Sequence, residues 1–463
     1  MPAPGFFPWC EARPAAVLGA LTAVCLVTFL VTIPLPRVDG QLLGTDGLGY
    51  YVYLPSIVID RDLDFANQAA TLSPNGPVLP TRPTPTGRLG NPWPVGPALL
   101  WLPFFLLAHV LAIGLHGLGV GIRLDGCGYW YQAVVIGGNI VYGGAALLLA
   151  FTVARRIAST ASALWATVLV GFAGNLVYYL TAEASMPHAV SAFAVSLFFA
   201  AWLRMRGRTG VARAAALGAI IGVVALVRTQ EVLLAVVPLV DDLVRCCRAA
   251  RVSRMRGPLL TWFRDAMVMT LAALLVYSPQ IVVSQALYGT WWWPSQLYAG
   301  WGDVPKFVWW SPHFVDVLIS ARRGLFAWHP VFAIALLGVV PLWRRDRTMA
   351  SAVLLGVASE AYLLGGWYDW SQGRAFGGRA FVGCLPLFAA AMAVLLDRTR
   401  TALASRPRVW GRLLAGLGVV LVAANFLLFV EYRFDLATRD TAASWHDLGA
   451  RRVTFAIARL TGR

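Results

Sequence analysis

Runs of about 18 or more apolar residues with few charges recur along this chain, and each is long enough as a helix to cross a hydrocarbon layer. Examples lie at 15–33, 130–151, 266–284 and 411–430. Inside a bilayer, backbone N–H and C=O groups have no water to bond. Only helices or closed barrels satisfy them there, and runs this long and apolar are helical. The chain is therefore expected to be an all-α polytopic membrane protein. Composition agrees: 58% of residues are hydrophobic and only 13% charged, with mean hydropathy +0.66. That is too little polar surface for a soluble chain of this size.

About 11 transmembrane helices are predicted, at 15–33, 130–151, 161–181, 188–203, 212–228, 231–244, 266–284, 325–342, 349–366, 378–396 and 410–430. No cleavage pattern follows the first, which reads as a retained span. They form a single transmembrane domain over 1–463, with an external loop at 34–129 bearing membrane-surface helices. A second external, aromatic loop covers 285–324, and a C-terminal tail covers 431–463.

The net charge of +16 suits nucleic acid in a soluble protein. Here the arginines sit in short loops between apolar runs, which is the signature of cytoplasmic loops. Arg155, Arg156, Arg204, Arg206, Arg208, Arg213, Arg245 to Arg264, Arg344 to Arg347 and Arg398 to Arg412 all fall on one side. Nucleic acid is not expected as a partner. The localisation this implies is a bacterial inner (cytoplasmic) membrane, with the other face outward. The segment 97–115 is apolar enough to span. If it crossed from a cytoplasmic N-terminus, every arginine loop would flip outward. Either it lies along the outer surface or re-enters, with the loop 34–129 external, or the N-terminus is external and residues 34–96 are cytoplasmic; the first is expected. Pro97, Pro103 and His109 also suit a lipid-facing span poorly. The acidic loop before it (Asp39, Asp46, Asp60, Asp62, Asp64) leans external.

The six cysteines, Cys10, Cys25, Cys127, Cys246, Cys247 and Cys384, show no spacing of a zinc site or disulfide framework. They read as packing residues.

Candidates for chemistry gather on the side opposite the arginines. Asp46 follows the first span among Gly44, Gly47 and Gly49, with Tyr50 and Tyr53 one and two helical turns later on its face. An N-cap role is the plainer reading of Asp46. Glu183 and His188 lie at a span boundary, suited to substrate hydroxyls, to a divalent cation (Mg or Mn), or simply to solvated caps. Arg228 ends one predicted span, and Glu360 lies within another, where an ionisable group needs a partner or a function. Arg374 and Arg379 stand five apart in glycine-rich sequence, a pattern that suits bidentate phosphate binding or interfacial snorkelling. Arg322 and Arg323 are further phosphate candidates. Trp291, Trp292, Trp293, Trp301, Trp309, Trp310 and Trp328 suit sugar rings or a membrane interface.

Together these elements resemble the GT-C fold membrane glycosyltransferases, the superfamily of the aminoarabinose transferase and the protein O-mannosyltransferases (glycosyltransferase family 39-like). The resemblance rests on an acid after the first span, an external loop with surface helices, a second acid before a later span, and an arginine/glycine element toward the C-terminus. Bacterial members often carry Asp-Glu in the first loop. Here Gly47 follows Asp46, so Asp46 alone carries over, and Glu183 stands where the family most often has Asp. The resemblance implies an inverting transfer, on the outer (periplasmic) face, from a polyprenyl-phosphate sugar donor to a lipid, glycan or protein hydroxyl. Asp46 would be the base, Arg374 and Arg379 would hold the leaving phosphate, and Glu183 and His188 would position the acceptor or a cation. The rival class is a transporter or flippase of a lipid-linked or anionic substrate, which Glu360 and Arg228 would suit.

Overall fold

The computed structural model describes residues 8–35, 41–73, 83–292, 307–310, 312–434 and 443–451, together with Thr454 and Ala458. Lys306, Trp293 and Trp301 of the aromatic loop lie outside the described residues. Thirteen helices carry the architecture: α1 (Pro14–Thr32), α2 (Thr45–Tyr51), α3 (Gly96–Gly117), α4 (Tyr129–Arg155), α5 (Thr160–Phe172), α6 (His188–Met205) and α7 (Val211–Val227), then α8 (Val236–Ser253), α9 (Gly257–Tyr288), α10 (Pro330–Leu337), α11 (Arg347–Gly366), α12 (Leu385–Ala402) and α13 (Pro407–Phe434). Among the described residues there are isolated bridges but no named strands. Among the described residues, eight apolar helical segments, α3 among them, are long enough to cross a membrane, and α5 and α7 are shorter apolar helices. The chain is an all-α polytopic membrane protein.

The core is built on α12, almost wholly enclosed and packed on α4 and α5. The segments containing α1, α9 and α13 are only 17% buried, and exposed Val24, Leu275 and Val419 belong to their lipid-facing sides. Helices approach closely where glycine removes a side chain, the usual device when no hydrophobic drive exists between helices. A Cβ on Gly218 of α7 would stand 2.2 Å from the Met269 carbonyl oxygen of α9, and one on Gly338 would stand 1.9 Å from that of Ala391 in α12.

Helix α3 has a particular place. Trp101 Nε1 donates to Asn139 Oδ1 at 3.0 Å and Tyr142 Oη to the Leu100 carbonyl at 2.9 Å. Further along, Trp130 Nε1 donates to the Ala108 carbonyl at 2.9 Å, and His109 Nδ1 lies 2.8 Å from Tyr131 Oη. So α3 runs antiparallel to the first half of α4, the half remote from Arg155. Its start at Gly96 abuts Leu226 and Val227, the end of α7 remote from Arg213.

Three predicted spans take other forms. The segment 231–244 is a 3-10 turn, Thr229–Ala235, followed by amphipathic α8. Asp241 and Asp242 give α8 a charged face, with Val236, Val240 and Val244 exposed on the other. The segment 325–342 is divided into Leu325–Trp328, α10 and Val339–Arg345. Pro330 supplies no N–H for a continuous helix, and Gly338 marks the second break. The segment 161–181 stops at Phe172. There Gly174 lets Phe332 approach, and a short helix Leu176–Tyr179 follows.

Candidate functional site

The arginine side is a lattice of paired charges. Arg206 grips Asp241 with two bonds of 3.0 Å and also bonds Asp346. Arg213 bonds Asp242 at 2.6 Å, and Arg345 bonds Asp397 at 3.0 Å. Burial pushes the Asp241 carboxyl up, but the bonds from Arg206 and Thr348 outweigh it and hold it below its usual value. These contacts tie α6, α7, α8, α11 and α12 together at one end.

At the other end, three segments converge on Asp46. The first-loop backbone is anchored by Leu42 N donating to Gln132 Oε1 (3.0 Å) and Gly44 N donating to Ser185 Oγ (2.9 Å). A Cβ on Gly47 would stand 2.5 Å from Ser185 Oγ, and one on Gly49 would stand 2.1 Å from the Trp93 ring. These glycines thus let α2 lie flush against its supports. The turn carrying Ser185 is itself held by Asn139, whose amide donates to the Ala184 (2.7 Å) and Met186 (2.8 Å) carbonyls. Asp46 falls in the first turn of α2 and makes no capping bond; the cap position is Gly44.

The third segment is the loop before α12. Asn175 donates to the Gly378 carbonyl at 2.8 Å, and Phe376 N donates to Tyr179 Oη at 3.1 Å. Gly377 has φ +61, and a Cβ there would stand 2.2 Å from His329 Nε2, so both conformation and space demand glycine. The loop turns Arg379 inward. Its Nη1 meets Asp46 Oδ2 at 3.1 Å, with the Asp46 side chain 31% exposed and that of Arg379 18%. An acid and a cation 333 positions apart in sequence therefore form one half-open pair. Arg379 also feels the fields of Tyr179, Glu183 and Tyr50.

Behind this pair lies a buried polar cluster. The His188 ring sits 4.2 Å from that of Tyr179, within the fields of both Arg228 and Arg379, and neither ring nitrogen has a hydrogen-bond partner. Arg228 Nη1 donates to the Ala380 carbonyl at 3.1 Å, beside Arg379. Arg228 stands within electrostatic reach of both Glu231 and Glu360. Ser191 Oγ donates to Glu231 Oε1 at 2.7 Å, while Glu231 Oε2 and Glu360 Oε2 are buried without a partner. Glu231 lies in the 3-10 turn between α7 and α8, outside the spanning helices. Burial pushes its carboxyl up, Arg228 opposes this, and Glu360 adds to the rise.

Of the residues singled out in sequence, Asp46, Glu183, His188, Arg228, Glu360 and Arg379 belong to this continuous polar region. Glu183 Oε1 accepts from Tyr178 Oη at 3.1 Å. Tyr50 is partly exposed and edges onto Trp93 and Trp101. Tyr53 is fully buried, its hydroxyl bonded to the Trp93 carbonyl, so it supports the wall. Arg323 is buried between Trp328 and Tyr432 and donates to the Gly373 and Arg322 carbonyls, which makes it a brace for the loop. Arg322 and Arg374 are exposed; Arg322 lies over Trp370. Trp291, Trp292, Trp309 and Trp310 are exposed, and Trp328 is buried. No cluster of three or more His, Cys, Asp or Glu spaced to hold a metal ion occurs among the described residues.

The fold is shared with solved oligosaccharyltransferases. The structure of the Archaeoglobus fulgidus oligosaccharyltransferase AglB in complex with an inhibitory peptide and a dolichol-phosphate superposes with TM-score 0.52 at 12% identity, over 94% of this chain and 57% of that one. The apo form of the A. fulgidus oligosaccharyltransferase gives 0.53 at 12% identity with the same coverage. Its complex with Zn and sulfate gives 0.53 at 13% identity, over 92% of this chain and 53% of that one. The chain thus spans little more than half the length of these oligosaccharyltransferases. No protein-family model and no curated protein sequence matches it.

Proposed function

We propose that the chain is a membrane glycosyltransferase that moves a sugar, with inversion, from a polyprenyl-phosphate donor to an acceptor hydroxyl. The observation that carries this reading is the Asp46–Arg379 pair at 3.1 Å. It puts a base for an acceptor hydroxyl beside a cation for a leaving phosphate, at the half-open edge of a GT-C-like bundle. The dolichol-phosphate bound by the AglB neighbour supports a lipid-phosphate donor, and the peptide there is compatible with a protein acceptor among lipid, glycan and protein.

In the reaction, donor phosphate draws Arg379 away from Asp46, and the freed carboxylate then faces the acceptor. Asp46 takes the acceptor proton as the acceptor oxygen forms its bond to the anomeric carbon. On the opposite face of the sugar the bond to the phosphate oxygen breaks, and Arg379 stabilises the charge that develops. Base and leaving group must lie across the sugar from one another, so the contact between Asp46 and Arg379 describes the protein before substrate enters. Glu183 and His188 orient the acceptor, and the Tyr50 ring faces the sugar with Trp93 behind it. The site faces outward in this reading, in a bacterial inner membrane, because it lies opposite the arginine lattice. The confinement of α3 to the outer half of α4 supports a segment that does not cross.

The test is incubation of purified protein with polyprenyl-phosphate sugars and candidate acceptors, read by mass spectrometry. Loss of donor with appearance of a glycosylated acceptor is expected. Movement of an intact lipid-linked substrate across sealed vesicles, with no covalent change, would instead establish the transporter reading.

A further inference from the structure

The deep cluster contains more negative charge than an anion site should tolerate. Around Arg228 and Arg379 stand four carboxyls: Asp46, Glu183, Glu231 and Glu360. Asp46 and Glu183 reach partly exposed positions, where water helps them. Glu231 and Glu360 are 3% and 4% exposed. The groups that act on this pair are Ser191 of α6, which bonds Glu231, Arg228 at the end of α7, and Cys384 of the segment before α12, with His188 of α6 in the field of the same Arg228. Arg228 is thus the one cation whose field reaches both buried carboxyls among the described residues, and like charges close together in a dry site do not both ionise readily. Two carboxyl oxygens in the pair have no partner. A proton on one of them converts an orphan acceptor into a donor. The space is closed: a Cβ on Gly383 would fall 1.9 Å from Glu231 Oε1.

We propose that Glu231 and Glu360 form a proton-binding pair, coupled through Arg228 to anion occupancy, that takes up one proton when a phosphate binds at Arg379 and Arg228. The coupling rests on the anion site of the proposed function. An arriving phosphate draws the Arg228 guanidinium toward itself, the carboxyls lose their counter-charge, and a proton replaces it. No bond other than O–H is made or broken, and the proton comes from solvent. Phosphate and proton then bind together and leave together, so the cluster never carries the anion against two uncompensated carboxylates.

The probe is farnesyl methyl phosphate, a diester with one negative charge and no titrating proton of its own near neutrality. Its affinity for the purified full-length protein is measured by calorimetry from pH 6 to pH 10. The wild-type affinity is expected to fall tenfold per pH unit above a midpoint, as one linked proton requires. In Glu231→Gln and Glu360→Gln the affinity is expected to be independent of pH over that range. A pH-independent wild-type affinity, or an unchanged slope in both variants, overturns the coupling. In parallel, dicyclohexylcarbodiimide, which reacts with protonated carboxyls in apolar surroundings, is applied to the wild-type protein and the adducts mapped by mass spectrometry. Modification of Glu231 or Glu360 is expected, with its pH midpoint moving upward when the diester is present. Absence of adducts on both residues at pH 6 overturns the proton site without recourse to any variant. If the diester binds equally well to Arg379→Ala, the anion site of the proposed function fails and the coupling falls with it. Adducts on the pair without added ligand would still report the proton site.

Discussion

The two ends of the bundle treat charge in opposite ways. On the arginine side, Asp241, Asp242, Asp346 and Asp397 each have an arginine, and Arg206 alone bridges Asp241 and Asp346. At the other end, Asp46 and Arg379 are paired at a half-open edge, and beneath them His188, Glu231 and Glu360 carry buried polar atoms with no partner. Closed networks add rigidity, because removing one member leaves another uncompensated. Incomplete ones hold interaction in reserve for something not part of the chain. The comparison teaches that the two ends differ less in the number of their charges than in how completely those charges are partnered.

The contrast can be broken most directly at Asp46. Asp46→Asn is expected to lower transfer on the order of 10³-fold, the range of a lost general base, with unchanged thermal stability. Near-normal turnover of lipid-linked sugar by this variant would remove Asp46 from the chemistry. Arg379→Gln should cost turnover about 10²-fold, as for loss of one stabilising donor, read as a fall in kcat in the same assay; an effect confined to KM would mean that Arg379 only binds. On the arginine side the expectation reverses. Asp241→Asn strips Arg206 of its bidentate partner and should lower stability by roughly 1–3 kcal/mol, read as a drop in melting temperature, while kcat holds. A loss of kcat without loss of stability would erase the distinction between the two ends. Gly383→Ala pushes into the Glu231 carboxyl and is expected to cost about 1–3 kcal/mol in the same melt.

The smallest effect concerns pH. The Asp241 carboxyl is held below its usual value. Its contribution is therefore complete above the ordinary aspartate value of about 4 and is lost as pH falls through the lower folded value. Melting temperature should drop on acidification through that window, and less steeply in Asp241→Asn than in the wild type. Equal slopes would mean that other carboxylates carry the acid response.

Much of this was legible in sequence. Apolar runs and arginine loops carry the membrane class and the two-ended charge layout by themselves, because both follow from local transfer energies. Asp46 and Arg379 were visible as unusual charges in glycine-rich surroundings. Their contact was not, because it joins distant segments through loops with no periodicity. Glu231 escaped notice because it opens an apolar stretch that reads as a span, 231–244; only the 3-10 turn there reveals a carboxyl aimed inward. Arg323 looks like a phosphate ligand in sequence, yet Trp328 and Tyr432 enclose it. Tyr53 lies one turn beyond Tyr50 and both meet Trp93, Tyr50 by its ring and Tyr53 by its hydroxyl, but burial of Tyr53 is not visible in the spacing.

The Asp46–Arg379 contact also orders events in time. Asp46 is synthesised 333 residues before Arg379, an interval of roughly 20–70 s at ~5–20 residues per second. Throughout it the first-loop acid has none of its later counter-charge, and α12, which completes the core, has yet to emerge. Formation of the Asp46–Arg379 pair is thus among the last steps of biogenesis, and a chain interrupted before that point would hold most of its helices yet lack the pair.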